Sequence, residues 1–134
     1  MRVRPSFILL ALGVLLCASC AREKSTDQMI SDLKSHEEKD RLNAVRTLPQ
    51  RSGDAARTVP ALIAALKDHE ADIRRSAALG LGSFGEQARE AIPGLQEVLR
   101  DRDGRVREAA GVALSRIDPS KFPDPHGAGA GKKK

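Results

Sequence analysis

Three glycines near the middle of the chain have the spacing of a dinucleotide phosphate-binding loop. Residues 80–85 read GLGSFG and fit the pattern G-x-G-x-x-G. In dinucleotide-binding proteins such a loop follows a β-strand and opens a helix, so that backbone N–H groups meet the pyrophosphate. The apolar residues before the motif instead recur every three or four positions, which predicts a preceding helix. We therefore expect no nucleotide site: Gly80 and Gly82 would let helices approach closely, and Gly85 would end a helix.

Two histidines, His36 and His69, lie 33 positions apart and could place imidazoles on adjacent turns. A metal site also needs a convergent third ligand, for which Asp72 and Glu38 are the nearby carboxylates. The surrounding residues are charged and typical of solvated turns. We expect solvated histidines, no metal site and no cofactor.

The chain offers little to an enzyme mechanism. Ser83 lacks the G-x-S-x-G frame that exposes a serine nucleophile on a strand-to-helix turn. Glu37 and Glu38 are adjacent, but they lie in a polar stretch where no burial would prepare one as a general acid. We assign no catalytic residue and expect no small-molecule substrate.

The elements that must position these residues belong to an internal repeat, in which equivalent residues lie 33 positions apart. Val59-Pro60 recurs as Ile92-Pro93. The same shift relates Leu62 to Leu95, Leu66 to Leu99, Asp68 to Asp101, Ile73 to Val106, Arg74 to Arg107, Ala77 to Ala110 and Leu81 to Leu114. Shifting back reaches Met29, Leu33, Arg41, Ala44 and Leu48. This period is typical of stacked helical pairs, so we expect an all-α fold, a short α-solenoid of three helical hairpins in residues 26–58, 59–91 and 92–118.

Each copy divides into two helical patterns with recognisable start and stop signals. Pro60 and Pro93 suit a first helical turn, where a missing N–H is harmless. Asp68 and Asp101 close the first helix of their copies and can serve the turn or the next N-terminus. Two capping boxes are expected in the first copy, at Ser25 with Gln28 and at Ser35 with Glu38.

The second helix of each copy carries the pattern [Asp/Glu]-x-x-[Val/Ile]-Arg-x-x-Ala-x-x-x-Leu. The third copy fits it with Asp103, Val106, Arg107, Ala110 and Leu114. The middle copy fits equally from Glu70, and the first departs from it with Asp40 in the apolar slot. The pattern resembles the HEAT repeat, especially the short bacterial form of phycobilisome-lyase-like proteins, over residues 26–118. The resemblance implies an all-α superhelix used as a protein-binding scaffold.

In HEAT proteins, recurring Asp and Arg residues form a ladder between neighbouring repeats. The resemblance makes Arg41, Arg74 and Arg107 the rungs, each bonded to an acidic residue or a helix-end carbonyl. It also makes Glu70 and Asp103 members of this structural ladder. An anion-binding row of arginines is the alternative interpretation.

Six off-stripe positions of the second helices are the candidates for partner binding, because HEAT proteins usually turn that side inward. We name them the second-helix face: Leu42, Arg46, Arg75, Leu79, Glu108 and Val112. Their mixture of apolar and charged types suits a modest protein interface, and it suits ordinary surface equally well.

The first twenty residues are typical of an export signal. Arg2 and Arg4 precede an apolar run over residues 7–16, which is shorter than the ~20 residues of a spanning helix. Ala-Ser before Cys20 resembles a bacterial lipobox, although Cys17 stands where Leu is usual. We expect a signal peptide over residues 1–20, lipidation at Cys20 and a linker over 21–25. An ordinary signal peptidase site, giving a soluble secreted protein, and an uncleaved anchor are the alternatives.

The basic balance of the chain is an end effect. Lys and Arg number 23 against 18 Asp and Glu, a net charge of +5. Removing Arg2 and Arg4 leaves +3, and removing the lysines at 132–134 leaves zero. A neutral body argues against nucleic acid as a partner. Residues 119–134 have the composition of a flexible basic tail.

These observations predict a non-catalytic, exported protein–protein interaction scaffold, lipid-anchored in the cell envelope or periplasm. Its partner would be another envelope or secreted protein, and it would meet the membrane through its lipid anchor. The alternative is an accessory subunit of an enzyme, by analogy with the lyase-like HEAT proteins.

Overall fold

The computed structural model describes residues 24–124, and within that range the chain forms six α-helices and no β-strand. The helices are α1 (Thr26–Asp32), α2 (Glu38–Thr47), α3 (Ala55–Ala65), α4 (Ala71–Ser83), α5 (Ile92–Val98) and α6 (Gly104–Ile117). Short 3₁₀ segments occupy Leu48–Gln50, Ser52–Asp54 and Gly85–Ala91. The expected all-α class is confirmed. The expected signal peptide, Cys20 and most of the expected tail lie outside the described residues.

The helices pair into three hairpins that stack in chain order as a short solenoid. α1 packs on α2, α3 on α4 and α5 on α6. The second helices form one row, in which α4 lies between α2 and α6. The expected solenoid of three HEAT-like hairpins is therefore confirmed.

The core follows the repeated apolar positions. Its largest fully buried side chains include Leu62, Ile73, Leu81, Leu95, Val106, Leu114 and Ile117. Burying one such side chain stabilises the fold by about 1.5–3 kcal/mol. Most of the first repeat's contribution is a separate small cluster of Met29, Ala44 and Leu48. The first copy, whose sequence pattern is weakest, therefore joins the main core least.

Two glycines of α4 permit close helix packing. A Cβ built on Gly82 would lie 2.9 Å from the Cα of Ala113 in α6, and one built on Gly80 would lie 2.7 Å from Cγ of Pro49. Gly85 follows α4 with φ 54°, a left-handed conformation that glycine adopts without strain. The GLGSFG motif therefore lies at the end of a helix between two repeats, as expected from its sequence context.

The local start signals agree with the structure in part. Ser25 and Gln28 form a complete capping box at α1, and Pro93 lies in the first turn of α5. Pro60 instead lies inside α3, because that helix begins a full turn earlier at Ala55 and buries the residues just before the proline. The expected capping box at Ser35 is also absent.

The serine at position 35 has a different hydrogen-bond partner from the one that a capping box requires. Its Oγ accepts from the backbone N–H of Glu37 and donates to Asp40. Glu37 is the residue that precedes α2, and it provides no side-chain cap. The motif implies a helix that begins at residue 36, but α2 begins two residues later, with Glu38 as its first residue rather than its third.

Candidate functional site

Arg74 in α4 joins the second repeat to the third. Its Nε donates to Oδ2 of Asp101 at 2.7 Å and its Nη2 donates to Oδ1 at 2.9 Å. Its Nη1 donates to the main-chain carbonyls of Asp68 and His69, at 2.8 and 2.9 Å. One guanidinium thus bonds both to its own repeat's interhelix turn and to the carboxylate of the next repeat. Charge-assisted bidentate contacts of this kind are stronger than neutral hydrogen bonds.

Arg41 in α2 repeats this arrangement between the first and second repeats. Its Nε donates to Oδ2 of Asp68 at 2.9 Å, and its Nη1 donates to the carbonyls of Ser35 and His36. Nη2 lies 3.5 Å from Oδ1 of Asp68 and 3.0 Å from Nε2 of His69. Both arginines are buried, and all three nitrogens of each are engaged within the protein. The geometry therefore favours the ladder over an anion-binding row.

The acids of the ladder differ from the expected pair. Within the described residues, neither Glu70 nor Asp103 bonds to these arginines; Asp68 and Asp101 do. Asp103 instead caps α6, with Oδ1 accepting from the backbone N–H of Arg105 at 2.8 Å. The expected acids lie two residues later in the sequence, at the residue that precedes each second helix, and Glu70 makes no side-chain cap there.

The two ladder aspartates also organise the turns in which they lie. Oδ1 of Asp68 accepts from the N–H of Glu70, and Oδ1 of Asp101 accepts from the N–H of Asp103, both at 2.9 Å. Arg74 is the main cause that lowers the pKa of Asp101 below its ordinary value, through the side-chain hydrogen bond. The carboxylate is thus held in its charged form by the same contacts that fix the turn.

Arg107 occupies the third rung but has a smaller set of contacts. Its Nη1 donates to the carbonyls of Asp101 and Arg102, at 2.8 and 3.3 Å. No carboxylate within residues 24–124 pairs with it, and its side chain is exposed. The expected rung is therefore present only toward its own repeat.

The second-helix face contains a shallow groove between α2 and α4. Arg46, Arg75 and Leu79 line it, and its volume is about 350 Å³. Val45, Pro49 and Gly80 complete its apolar part. Arg46 and Arg75 are both exposed, on neighbouring second helices. This groove therefore combines an apolar floor with two positively charged side chains.

A second, smaller groove of about 110 Å³ lies between α4 and α6. Four residues of the second-helix face line it: Arg75, Leu79, Glu108 and Val112. Arg75 and Leu79 belong to both grooves, so the two form one continuous surface across three helices. Leu42 lines neither groove, because it is half-buried against the core. The structure thus brings five of the six expected residues together.

A family model described as HEAT repeats matches residues 26–121. The chain belongs to the HEAT repeat family. Among solved structures, 17 chains match. One is the complex of CpcE and CpcF of phycocyanin lyase from Nostoc sp. PCC7120, with 33% identity and a TM-score of 0.65. The match covers 75% of this chain and 40% of that chain, so this HEAT repeat chain spans less than half the length of that relative. No curated protein matches.

Three polar residues of this HEAT repeat surface were not expected from the sequence. Ser76 and Ser83 line the larger groove, and Arg105 lines the smaller one. Ser83 lies one helical turn after Leu79, so extending each off-stripe row by four positions would have found it. Arg105 pairs with Asp72 of α4 at 3.4 Å and so bridges the second and third repeats at the groove's edge.

The remaining candidates for chemistry do not converge. In the part of the chain that the structure describes, no group of three His, Cys, Asp or Glu side chains could hold a metal ion. His36 and His69 instead contribute main-chain carbonyls to the ladder arginines. None of the helices in residues 24–124 is long and apolar enough to cross a membrane.

Proposed function

We propose that this HEAT repeat protein is a non-catalytic scaffold that binds another protein through its second-helix face. The observation that carries the proposal is the continuous pair of grooves across α2, α4 and α6, with the exposed arginines Arg46 and Arg75 beside Leu79. HEAT repeats and the similarity to a lyase subunit complex support a protein-interaction role.

The chemistry of the grooves indicates what kind of partner segment they would bind. A carboxylate between Arg46 and Arg75 would gain two charge-assisted contacts, and an apolar side chain beside it would cover Leu79. Arginine beside apolar surface is the composition of interface hot spots. The proposed partner therefore presents an Asp or Glu next to an aliphatic or aromatic residue.

Affinity purification from the organism of origin tests this face. The double variant Arg75→Gln with Leu79→Ser should lose at least tenfold of the captured partner relative to the unaltered protein. Arg89→Gln is the matched control, because Arg89 is an exposed arginine whose partner Glu86 lies outside both grooves. Equal capture by all three proteins would exclude the second-helix face as the binding surface.

We further propose that the protein is exported and anchored in the cell envelope through a lipid on Cys20, with an envelope protein as its partner. The support is sequence alone: a basic start, a short apolar run and a lipobox-like Ala-Ser-Cys. Mass spectrometry of the mature N-terminus tests it directly. A diacylglyceryl Cys20 supports the anchor, a mature chain without it supports secretion, and an intact Met1 contradicts export.

The second candidate is an accessory subunit of an enzyme. The similarity of 33% identity to a phycocyanin lyase complex favours it over other HEAT functions. A lyase-like subunit would be expected to associate with a tetrapyrrole pigment or with a pigment-carrying protein. Visible absorbance of the protein purified from its own organism tests this candidate. A colourless preparation with no pigment-bearing partner would remove it.

A further inference from the structure

The third repeat, at the end of the solenoid, carries the apolar residue with which the second repeat contacts its neighbour. At the junction of the second and third repeats, Leu66 is 3% exposed and its Cδ1 lies 3.3 Å from a Cβ built on Gly94. Leu99 is the equivalent residue of the third repeat, and it is 40% exposed. It is the exposed large apolar residue of the described chain. Leu66 is covered by the repeat that follows it, whereas the equivalent surface at Leu99 is exposed.

The third repeat also carries, as Arg107, the arginine that links neighbouring repeats at both internal junctions. Arg41 and Arg74 use Nε and Nη2 to bind the aspartate of the next repeat. Arg107 uses Nη1 alone, and its Nε and Nη2 make no hydrogen bond within residues 24–124. Nε and Nη2 form the edge of the guanidinium that binds a carboxylate at both internal junctions, and in Arg107 this edge has no such partner within residues 24–124.

The helix surface between these two residues also suits a further hairpin. Gly82 of α4 contacts Ala113 in the next repeat. Its equivalent on α6 is Ser115, another small residue, which is half-exposed. A helix could approach α6 here much as α6 approaches α4.

We propose that this end surface, formed by Leu99, Arg107 and Ser115, binds a helical hairpin supplied by a different protein chain. The two internal junctions define the chemistry of that hairpin. It has an Asp or Glu at the end of its first helix, to receive Nε and Nη2 of Arg107. It also has Gly or Ala facing Leu99, as Gly94 faces Leu66. This surface is separate from the second-helix face, and the proposal does not depend on it.

Neither a second copy nor the next residues of this chain offer both groups together. In a head-to-tail dimer, the first repeat would bring Ser35 to Arg107 and Gln28 to Leu99, because these are the residues in register with Asp68 and Gly94. Within this chain, the residue in register after Gly94 is Gly127, which would suit Leu99, but the residue in register after Asp101 is Lys134, a cation that cannot bind Arg107. Like charges repel, and a glutamine side chain would occupy the space that Leu99 needs.

The repeats themselves show that the aspartate accompanies a neighbouring arginine. The first copy has no preceding rung, and the aspartate position holds Ser35. Arg107 is retained although no aspartate of the described chain follows it. This asymmetry is explained if a carboxylate reaches Arg107 from another chain.

Site-specific photo-crosslinking in the organism of origin tests the proposal. A photoreactive residue replaces Leu99 in the full chain, and the expected adduct is a different protein, attached within a helical hairpin. Adding Arg107→Gln should reduce the yield about tenfold, the loss expected for a charge-assisted contact pair. Adding Arg100→Gln, a neighbouring exposed arginine, should leave it unchanged. Circular dichroism of each variant checks that the fold is intact.

The remaining outcomes overturn the proposal. An adduct to residues 125–134 would mean that the tail covers this end, and an adduct to a second copy would indicate self-association. The lack of any protein adduct would mean that the surface is unoccupied. Arg75→Gln should leave the crosslink at position 99 unchanged, so failure of the second-helix face and failure of this end surface are distinguishable.

Discussion

The guanidinium of Arg74 and the carboxylate of Asp101 meet edge to edge across the boundary between two repeats, with N···O distances of 2.7 and 2.9 Å. Both side chains are about nine-tenths buried, at 8% and 10% exposure. The pair is also bonded to the turns on both sides of the boundary. Loss of either partner would leave the other charged and poorly hydrated.

The same substitution at two rungs should therefore have unequal effects. Arg74→Gln leaves a shielded carboxylate unpaired and should lower the free energy of unfolding by about 3 kcal/mol. Arg107→Gln removes only contacts to carbonyls at an exposed position and should cost less than about 1 kcal/mol. Urea unfolding monitored by circular dichroism measures both. Equal losses would show that the carboxylate contact contributes nothing beyond the bonds to the turn.

Stability should fall in acid because of Asp101. Its folded-state pKa lies below the ordinary 3.8, so the folded protein binds this proton less readily than the unfolded chain. The stabilisation is complete above the ordinary pKa and is lost as the pH falls through the lowered value. We expect the free energy of unfolding to decline below about pH 4.

Urea titrations between about pH 7 and pH 3 measure this dependence. Asp101→Asn should flatten the acid limb in part. Asp103 and Asp118, whose pKa values are also lowered by hydrogen bonds, account for the remainder. An unchanged acid limb in the variant would contradict the assignment to Asp101.

Two glycine-to-alanine substitutions should change stability in opposite directions. Gly82→Ala gains about 1 kcal/mol of helix propensity, but its Cβ would lie 2.9 Å from the backbone of Ala113. The overlap costs about 1–3 kcal/mol, so we expect net destabilisation. Gly53→Ala meets no atom within 4 Å and should stabilise by about 0.4–1 kcal/mol. Thermal melting of the pair provides the comparison.

Two buried threonines give a second matched pair. Oγ1 of Thr58 is buried without a hydrogen-bond partner among residues 24–124, whereas Oγ1 of Thr26 donates to Asp54 at 2.6 Å. Thr58→Val removes an unpaired hydroxyl and should stabilise by about 1 kcal/mol. Thr26→Val removes a bonded one and should cost about 1–2 kcal/mol. A loss of stability in Thr58→Val would indicate that its hydroxyl is hydrogen-bonded after all.

The repeat made most of the fold predictable. The shift from one copy to the next assigned Leu62, Ala77 and Leu81 to the core, and all three are fully buried. Periodicity reports burial directly, because each residue in register meets the same neighbours. The boundaries were less predictable: α3 starts before Pro60, since burial of Thr58 and Val59 outweighs the proline's local preference for a first turn.

The ladder acids show what periodicity leaves undetermined. Asp68 and Glu70 both recur as acids in the next copy, and a repeat alone does not indicate which carboxylate points across the boundary. The first copy contained the distinguishing signal. It keeps Glu37 at the helix entrance but has Ser35 at the other position, where no arginine precedes it. The positions outside the apolar stripe of each second helix were predictable as a set. How far Leu42 is buried depends on the rotation of α2 about its own axis, which the repeat does not specify.

Close packing on both sides of α4 has a consequence for local opening. Gly80 is approached by Pro49 of the first repeat and Gly82 by Ala113 of the third, so opening of α4 breaks close contacts with a repeat on each side. Helices at the two ends have a neighbouring repeat on one side only. Amide hydrogen exchange should therefore be slowest in α4 and faster toward α1, as in a stack whose layers open from the outside inward.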